Sequence, residues 1–309
     1  MFCVFFVRRQ IMKMYVLLTA ALIFGTVAPV LAAEQPAPGD LHGDIGYRWD
    51  SMYVWRGYLV YGHHSASHAF VDLDLFGTGF GLSVFSSWAN ASGTNPDQLG
   101  YNNEQRWDYT LFYAGALEND QPWETRYQVG YRYFNYPQMG QGSFRGFGGG
   151  NFGGIDLQEV FAGFALPKIF GVPGLVPSYA LVICWPSGED TAVGARNFNH
   201  GTYAGLADVF ALDYALPLEN ISAEIPKQNL NFHLETVYNN HVDPRPLGGY
   251  TSADWTHVMF GISTDFDLGN NFIFTPGVWH QITMEDDPLH GVSPDHSMTW
   301  ATLEVKYKF

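Results

Sequence analysis

The sequence predicts an all-β fold, a transmembrane antiparallel β-barrel of about 12 strands with long external loops. Three observations lead there. The chain closes on an alternating strand, residues 300–309, in which Phe309, Tyr307, Val305, Leu303 and Ala301 form one row and Lys308, Lys306, Glu304, Thr302 and Trp300 the other. Faces this unlike separate an apolar medium from a wet interior. The chain opens on an export segment: Arg8, Arg9 and Lys13 precede an apolar run over 15–24, and small residues end at Ala32-Ala33. Between these ends, short turns and long polar connections alternate, as barrels place tight turns inside and long loops outside.

The domain reading follows in order. Residues 1–32 are a signal peptide cut after Ala32, 33–40 a Pro-rich periplasmic leader, and 41–309 the outer membrane barrel. The strands are read at 43–58, 67–76, 80–89, 106–117, 124–135, 155–166, 176–185, 203–214, 229–240, 255–266, 272–282 and 297–309. Strand two opposes Val71, Leu73 and Leu75 to Asp72 and Asp74. Strand five opposes Tyr127, Val129, Tyr131 and Tyr133 to Arg126, Gln128, Gly130 and Arg132. Strand nine opposes Leu230, Phe232 and Leu234 to Asn231, His233 and Glu235. In strand ten Val258, Phe260 and Ile262 oppose His257, Met259 and Gly261. The strands holding Glu159 and Asp208 alternate less cleanly; either residue is lumenal there, or a bulge changes the register. The connections at 76–79, 118–123 and 267–271 are tight, and those at 90–105, 137–154, 186–202, 241–254 and 284–296 are long and polar. The inner connection at 216–228 is the longer exception, with room for a helical turn over 218–225.

Composition sets limits. The 309-residue chain has 34 Gly, 17% aromatic residues and a net charge of −15. Removal of the signal leaves 12 Lys+Arg against 30 Asp+Glu, so the mature charge is −18. Nucleic acid is excluded as a partner, because phosphate binding needs clustered Lys and Arg. Cys184 is the one mature cysteine, so no internal disulfide forms. After the signal no apolar stretch reaches about twenty residues, the length a membrane helix needs.

The strongest local motif is Ser51-Met52-Tyr53-Val54-Trp55-Arg56-Gly57. It is similar to the S-x-Y-x-x-R-G opening of the TorF-like porin family, exported barrels whose first strand, aromatic strands and aromatic ending this chain also resembles. The resemblance implies a channel-like role with no set substrate. The final Phe309 likewise resembles the insertion signal read by the barrel-assembly machinery.

The lumen row offers candidates for solute selection: Arg48, Arg56, Arg126, Arg132 and Lys306 against Asp72, Asp74, Asp108, Glu235 and Glu304. Arg48 and Arg56 are read in one row of strand one with Asp50 between them, facing Glu304 across the closure seam. Two readings stand: a network of paired interior charges, or an arginine row that selects solutes. Acidic residues in the loops (Glu189, Asp190, Asp243, Asp254, Glu285, Asp286, Asp287, Asp295) are a solvated surface, a mouth that concentrates cations, or a site for divalent cations bridging lipopolysaccharide. The Gly-rich segment 138–154 is an external loop or an inward constriction with Arg145, Phe144, Phe147 and Phe152. His63, His64 and His68, read in the first external loop, are a weak metal candidate; otherwise no metal and no cofactor is expected. Trp49, Trp55, Trp88, Trp107, Trp123, Trp185, Trp255 and Trp279 read as interfacial girdle residues. No spacing fixes a catalytic constellation, so the chain is not read as an enzyme.

The sequence therefore implies a monomeric outer membrane channel for passive diffusion of small solutes, cation-preferring. Outer membrane lipid, lipopolysaccharide and the assembly machinery are its expected partners. A non-conducting structural or adhesive barrel is the runner-up, and a lipid hydrolase the third reading.

Overall fold

The structure is a computed structural model that describes residues 39–61, 63–90, 105–135, 137, 144–145, 151–152, 156–186, 205–218, 228–240, 253–284 and 297–309. Residues 1–32, read above as a signal peptide, and most of 33–40, read as a leader, lie outside these residues. The described strands are β1 (His42–Asp50), β2 (Val54–Trp55), β3 (Tyr58–Leu59), β4 (Ala66–Asp74), β5 (Phe80–Ala89), β6 (Gln105–Leu117), β7 (Thr125–Asn135), β8 (Phe144–Arg145), β9 (Asn151–Phe152), β10 (Leu157–Ala165), β11 (Leu175–Pro186), β12 (Gly205–Pro217), β13 (Asn229–Asn240), β14 (Asp254–Thr264), β15 (Phe266–Gly269), β16 (Phe272–Thr283) and β17 (Ser297–Lys308).

Twelve of them close an antiparallel barrel in the order β1-β4-β5-β6-β7-β10-β11-β12-β13-β14-β16-β17, and β17 returns to β1. The short β15 continues β14 past a break at Asp265 and also pairs with β16. At the seam Asp44 lies opposite Lys308 and Arg48 opposite Glu304. Gly43 and Phe309 exchange backbone hydrogen bonds of 3.0 Å in both directions, so the last residue completes the ladder. Among the described residues, the start of β1, the end of β17 and the tight turns share one end of the barrel, and the strand ends that lead into the long connections share the other. The tightest of these turns places Asn270 and Asn271 at φ 53° and 67°. Positive φ at both central residues suits the right-handed twist of a hairpin, and Asn tolerates it.

Polarity is inverted relative to a soluble protein. Leu111 (53% exposed), Val278 (57%), Ile262 and Leu303 stand on the outside, while Arg48 and Glu159 are fully buried inside. Alternation along β17 gives Leu303 and Val305 to the outer face and Glu304 and Lys306 to the inner one. Small residues in the wall make room for large ones beside them. Cβ at Gly261 of β14 would stand 1.8 Å from the Trp279 ring of β16, which lies across it. A ring covering a strand glycine restores the packing that the missing side chain forgoes.

Three expectations are corrected at this level. Strand one ends at Asp50, not at 58, and the chain beyond it leaves the wall. Trp55 and Trp279, read as girdle residues, are buried in the interior. Asp208 lies in the outward row of β12 and accepts a 2.5 Å hydrogen bond from Tyr179 Oη. Glu159 is lumenal without any bulge in β10.

Candidate functional site

The connection from β1 to β4 folds into the barrel. Val54-Trp55 and Tyr58-Leu59 form a hairpin whose two turn residues both have positive φ, Arg56 at 47° and Gly57 at 89°. That is the backbone a two-residue hairpin requires. Val60 N–H donates to the Tyr53 carbonyl (2.9 Å) and lengthens the ladder. Ser51 fixes the base to β17: its N–H donates to the Ala301 carbonyl and its Oγ accepts from Ala301 N–H, both at 2.9 Å. Tyr61 Oη donates to the Ser87 carbonyl of β5 at 3.0 Å.

From this base the hairpin reaches across the lumen. Tyr53 packs edge-on against His68 of β4, 4.6 Å between ring centres, and also meets Phe85. Trp55 meets Phe134 of β7 at 5.4 Å. On the other side Val54 joins Met259, Trp279, Met298 and Trp300 from β14, β16 and β17. Gln281 of β16 donates from Nε2 to the Gly57 carbonyl at 2.9 Å. A Cβ at Gly57 would sit 2.7 Å from Nδ1 of His257, so this glycine serves both the turn and the close approach to β14.

The charges around the tip are paired. Glu159 of β10 is held on both oxygens, by Arg56 Nη2 at 2.9 Å and by Arg132 Nη1 of β7 at 3.1 Å. Arg106 of β6 makes a forked contact with Asp108, Nε and Nη2 each at 2.7 Å. Its guanidinium carbon lies 4.2 Å from the Trp55 ring centre, and that of Arg56 lies 4.7 Å from it. The indole therefore bridges two guanidiniums by cation–π contact. On β1 and β4, Arg48 Nη2 bonds Asp50 at 3.0 Å, and His68 Nε2 lies 3.0 Å from the same oxygen. On the opposite wall runs a file of alternating groups. His257 Nε2 is 3.4 Å from Glu235, His233 Nε2 is 3.9 Å from it, and His233 Nδ1 is 2.6 Å from Asp213.

The sequence-predicted residues fall as follows. Arg48, Asp108, Arg132, Glu235, Glu304 and Lys306 are interior residues with charged neighbours, Lys306 Nζ standing 3.8 Å from both Asp44 and Glu304. Asp72 and Asp74 are half-buried in the lumen row of β4, and Asp74 accepts the Gly77 N–H of the next turn at 2.5 Å. Arg126 bonds Glu124 at 2.9 Å beside the short-turn end. Arg56 is the correction: it is not stacked above Arg48 in strand one but sits on the hairpin turn, where its carboxylate partner is Glu159 on the far wall. The three histidines do not gather either. His63 and His64 are exposed, whereas His68 is buried in β4 beside Asp50. The inward-folding alternative for 138–154 lies outside the described residues, apart from the β8–β9 ladder. Of the acidic loop residues only Asp254 is described.

Sequence reasoning missed Arg106 and Gln281, and it named Glu159 and His257 only as strand residues, not as part of a site. Glu159 shares its inward row with Leu157, Phe161 and Ala165, so the row reads as apolar. The signal that was present is an isolated carboxylate in an otherwise apolar row.

Among solved structures the barrel is similar to KdgM porin, at 10% sequence identity over 86% of this chain and 99% of that one, with a TM-score of 0.48. It is also similar to an outer membrane channel from Pseudomonas putida F1 (11% identity, 89% and 97% covered, TM-score 0.49) and to NanC porin (10%, 87% and 100%, 0.46). No protein-family model and no curated protein sequence matches the chain.

Proposed function

We propose that this protein is an outer membrane channel for passive diffusion of small solutes, narrowed at its long-loop end by the in-folded hairpin. One observation carries the reading: a loop segment with its own ladder leaves the wall and spans the interior, meeting Glu159 of β10 on the far side and Gln281 of β16. Such a segment sets the bore of a barrel whose strands alone would leave the interior wider. The outward apolar rows support a lipid surround, and the export segment supports an outer membrane location. Lipid, lipopolysaccharide and the assembly machinery are then its surroundings, and the barrel works as a monomer. The acidic excess of the chain supports a preference for cations.

The test is conductance of the purified protein in planar bilayers. Wild-type protein should give small, cation-preferring steps. Replacing residues 53–61 by a short Gly-Ser linker should enlarge the step several-fold while the barrel stays folded. A second reading, a non-conducting surface barrel, is favoured by the near-complete burial of Arg48, Arg106 and Glu159. A folded wild type that never conducts, in any salt, would decide for it.

A further inference from the structure

We propose that the hairpin of residues 53–61 is a movable gate, latched by the Glu159 carboxylate held between Arg56 of the hairpin and Arg132 of the wall. The proposal rests on the channel reading above and adds its regulation.

The hairpin is connected to the barrel in a way that permits movement. β2 and β3 pair with each other and form no ladder with the barrel sheet. Beyond the base at Ser51, the hydrogen bonds and ion pair described above between the hairpin and the wall run through side chains. Both ends of the connection rise from neighbouring strands, β1 and β4. The hairpin is therefore an arm fixed on one side of the lumen with its tip on the other. It can leave the far wall without unzipping any strand of the barrel.

The wall charges it touches each keep a partner when it leaves. Glu159 retains Arg132 at 3.1 Å, and Arg106 retains its forked contact with Asp108. Departure of the tip thus orphans no wall charge, and the freed Arg56 would meet lumen water. Burial of Tyr53, Val54, Trp55 and Tyr61 makes the closed position the resting one. Arg56 itself holds φ 47°, a conformation that Asn or Gly adopts more readily. A strained arginine at the turn is explained by what its side chain reaches, as strain is stored where contacts over-determine it.

The experiment reads hairpin position and conductance separately. Val54→Cys in a Cys184→Ser background places a thiol on the hairpin, against Met259 and Trp300 when closed. Its rate of reaction with a small maleimide is measured on purified, folded protein, with folding checked by heat-dependent gel mobility. Glu159→Gln and Arg56→Gln should each raise the rate about tenfold to a hundredfold, the effect of losing the ion pair between hairpin and wall. The double variant should exceed neither single by much, and Arg56→Lys should fall between. The same variants should lengthen high-conductance openings in bilayers. Gln281→Leu, which removes the other tip bond, serves if a latch variant fails to fold, and should also speed labelling. Unchanged labelling rates in the folded variants overturn the gate even if the wild type conducts. Faster labelling in barrels that never conduct instead sinks the channel reading, and the gate with it.

Discussion

Glycine 261 and glutamate 124 show how single residues hold this barrel at its two surfaces of contact, ring on wall and turn on turn. A methyl group at 261 would overlap the Trp279 ring, so Gly261→Ala should destabilise by about 1–3 kcal/mol, the range for overpacking. The temperature at which the folded band disappears on heating gives the readout, and Trp279→Leu in the same chain should recover much of the loss. Glu124 precedes β7 at the short-turn end and takes Lys168 Nζ at 2.5 Å and Arg126 Nε at 2.9 Å. Burial alone would raise its carboxyl, but the bonds from Lys168 and Arg126 outweigh burial and hold it below the ordinary 4.5. A lowered folded-state value means the contribution is complete above the ordinary value and is lost as pH falls through the lowered one. Stability should therefore drop as pH falls below 4.5, with Glu124→Gln flatter in that window. The difference should be small, because Lys168 is part-exposed and such pairs are screened. At this scale the sequence was legible where a residue acts through its row, as Arg48 and Glu304 do. It left Glu159 between a lumenal place and a bulge and gave it no partner, because its row is otherwise apolar where the hairpin packs.

Strands and turns were the most readable layer. Eleven of the twelve readings fall on the barrel strands, because a strand between lipid and lumen must alternate along its whole length. The first reading ran too long for a physical reason. Tyr53, Val54, Trp55 and Tyr61 carry strand-like side chains, but these pack inside the lumen and not on a wall. Alternation cannot distinguish a strand in the wall from a hairpin lying across the interior. Two predictions belong here. Cysteines at Leu303 and Val305, in a Cys184→Ser background, should resist a membrane-impermeant thiol reagent; strong labelling there with none at Glu304→Cys would reverse the faces of β17. At the β15–β16 turn, Asn271→Gly should be tolerated, whereas Asn271→Val should cost about 1–2 kcal/mol, since a branched side chain at positive φ clashes with its own backbone.

For the whole molecule, charge and closure are the properties to test. If the acidic excess governs permeation, reversal potentials should favour cations at low salt and lose that preference near 1 M, where screening shortens to about 3 Å. Anion selectivity would refute the electrostatic reading. Phe309 shares a reciprocal backbone pair with Gly43, so deleting it removes the last rung of the closure seam. The expected outcome is less assembled barrel with export and signal cleavage unaffected; an unchanged folded fraction would take Phe309 out of the account. What the sequence determined by itself is the class of fold, the strand order implied by alternating loop lengths, and the sorting of most side chains between two media. Those are local properties, since each strand meets the same two environments along its length. Only the tertiary structure decided where the chain after Asp50 goes, that Arg56 meets Glu159, and that Trp55 lies between two guanidiniums. These pairings join residues about a hundred or fifty positions apart across an enclosed space, and no periodicity along the chain encodes which opposite walls a segment will touch.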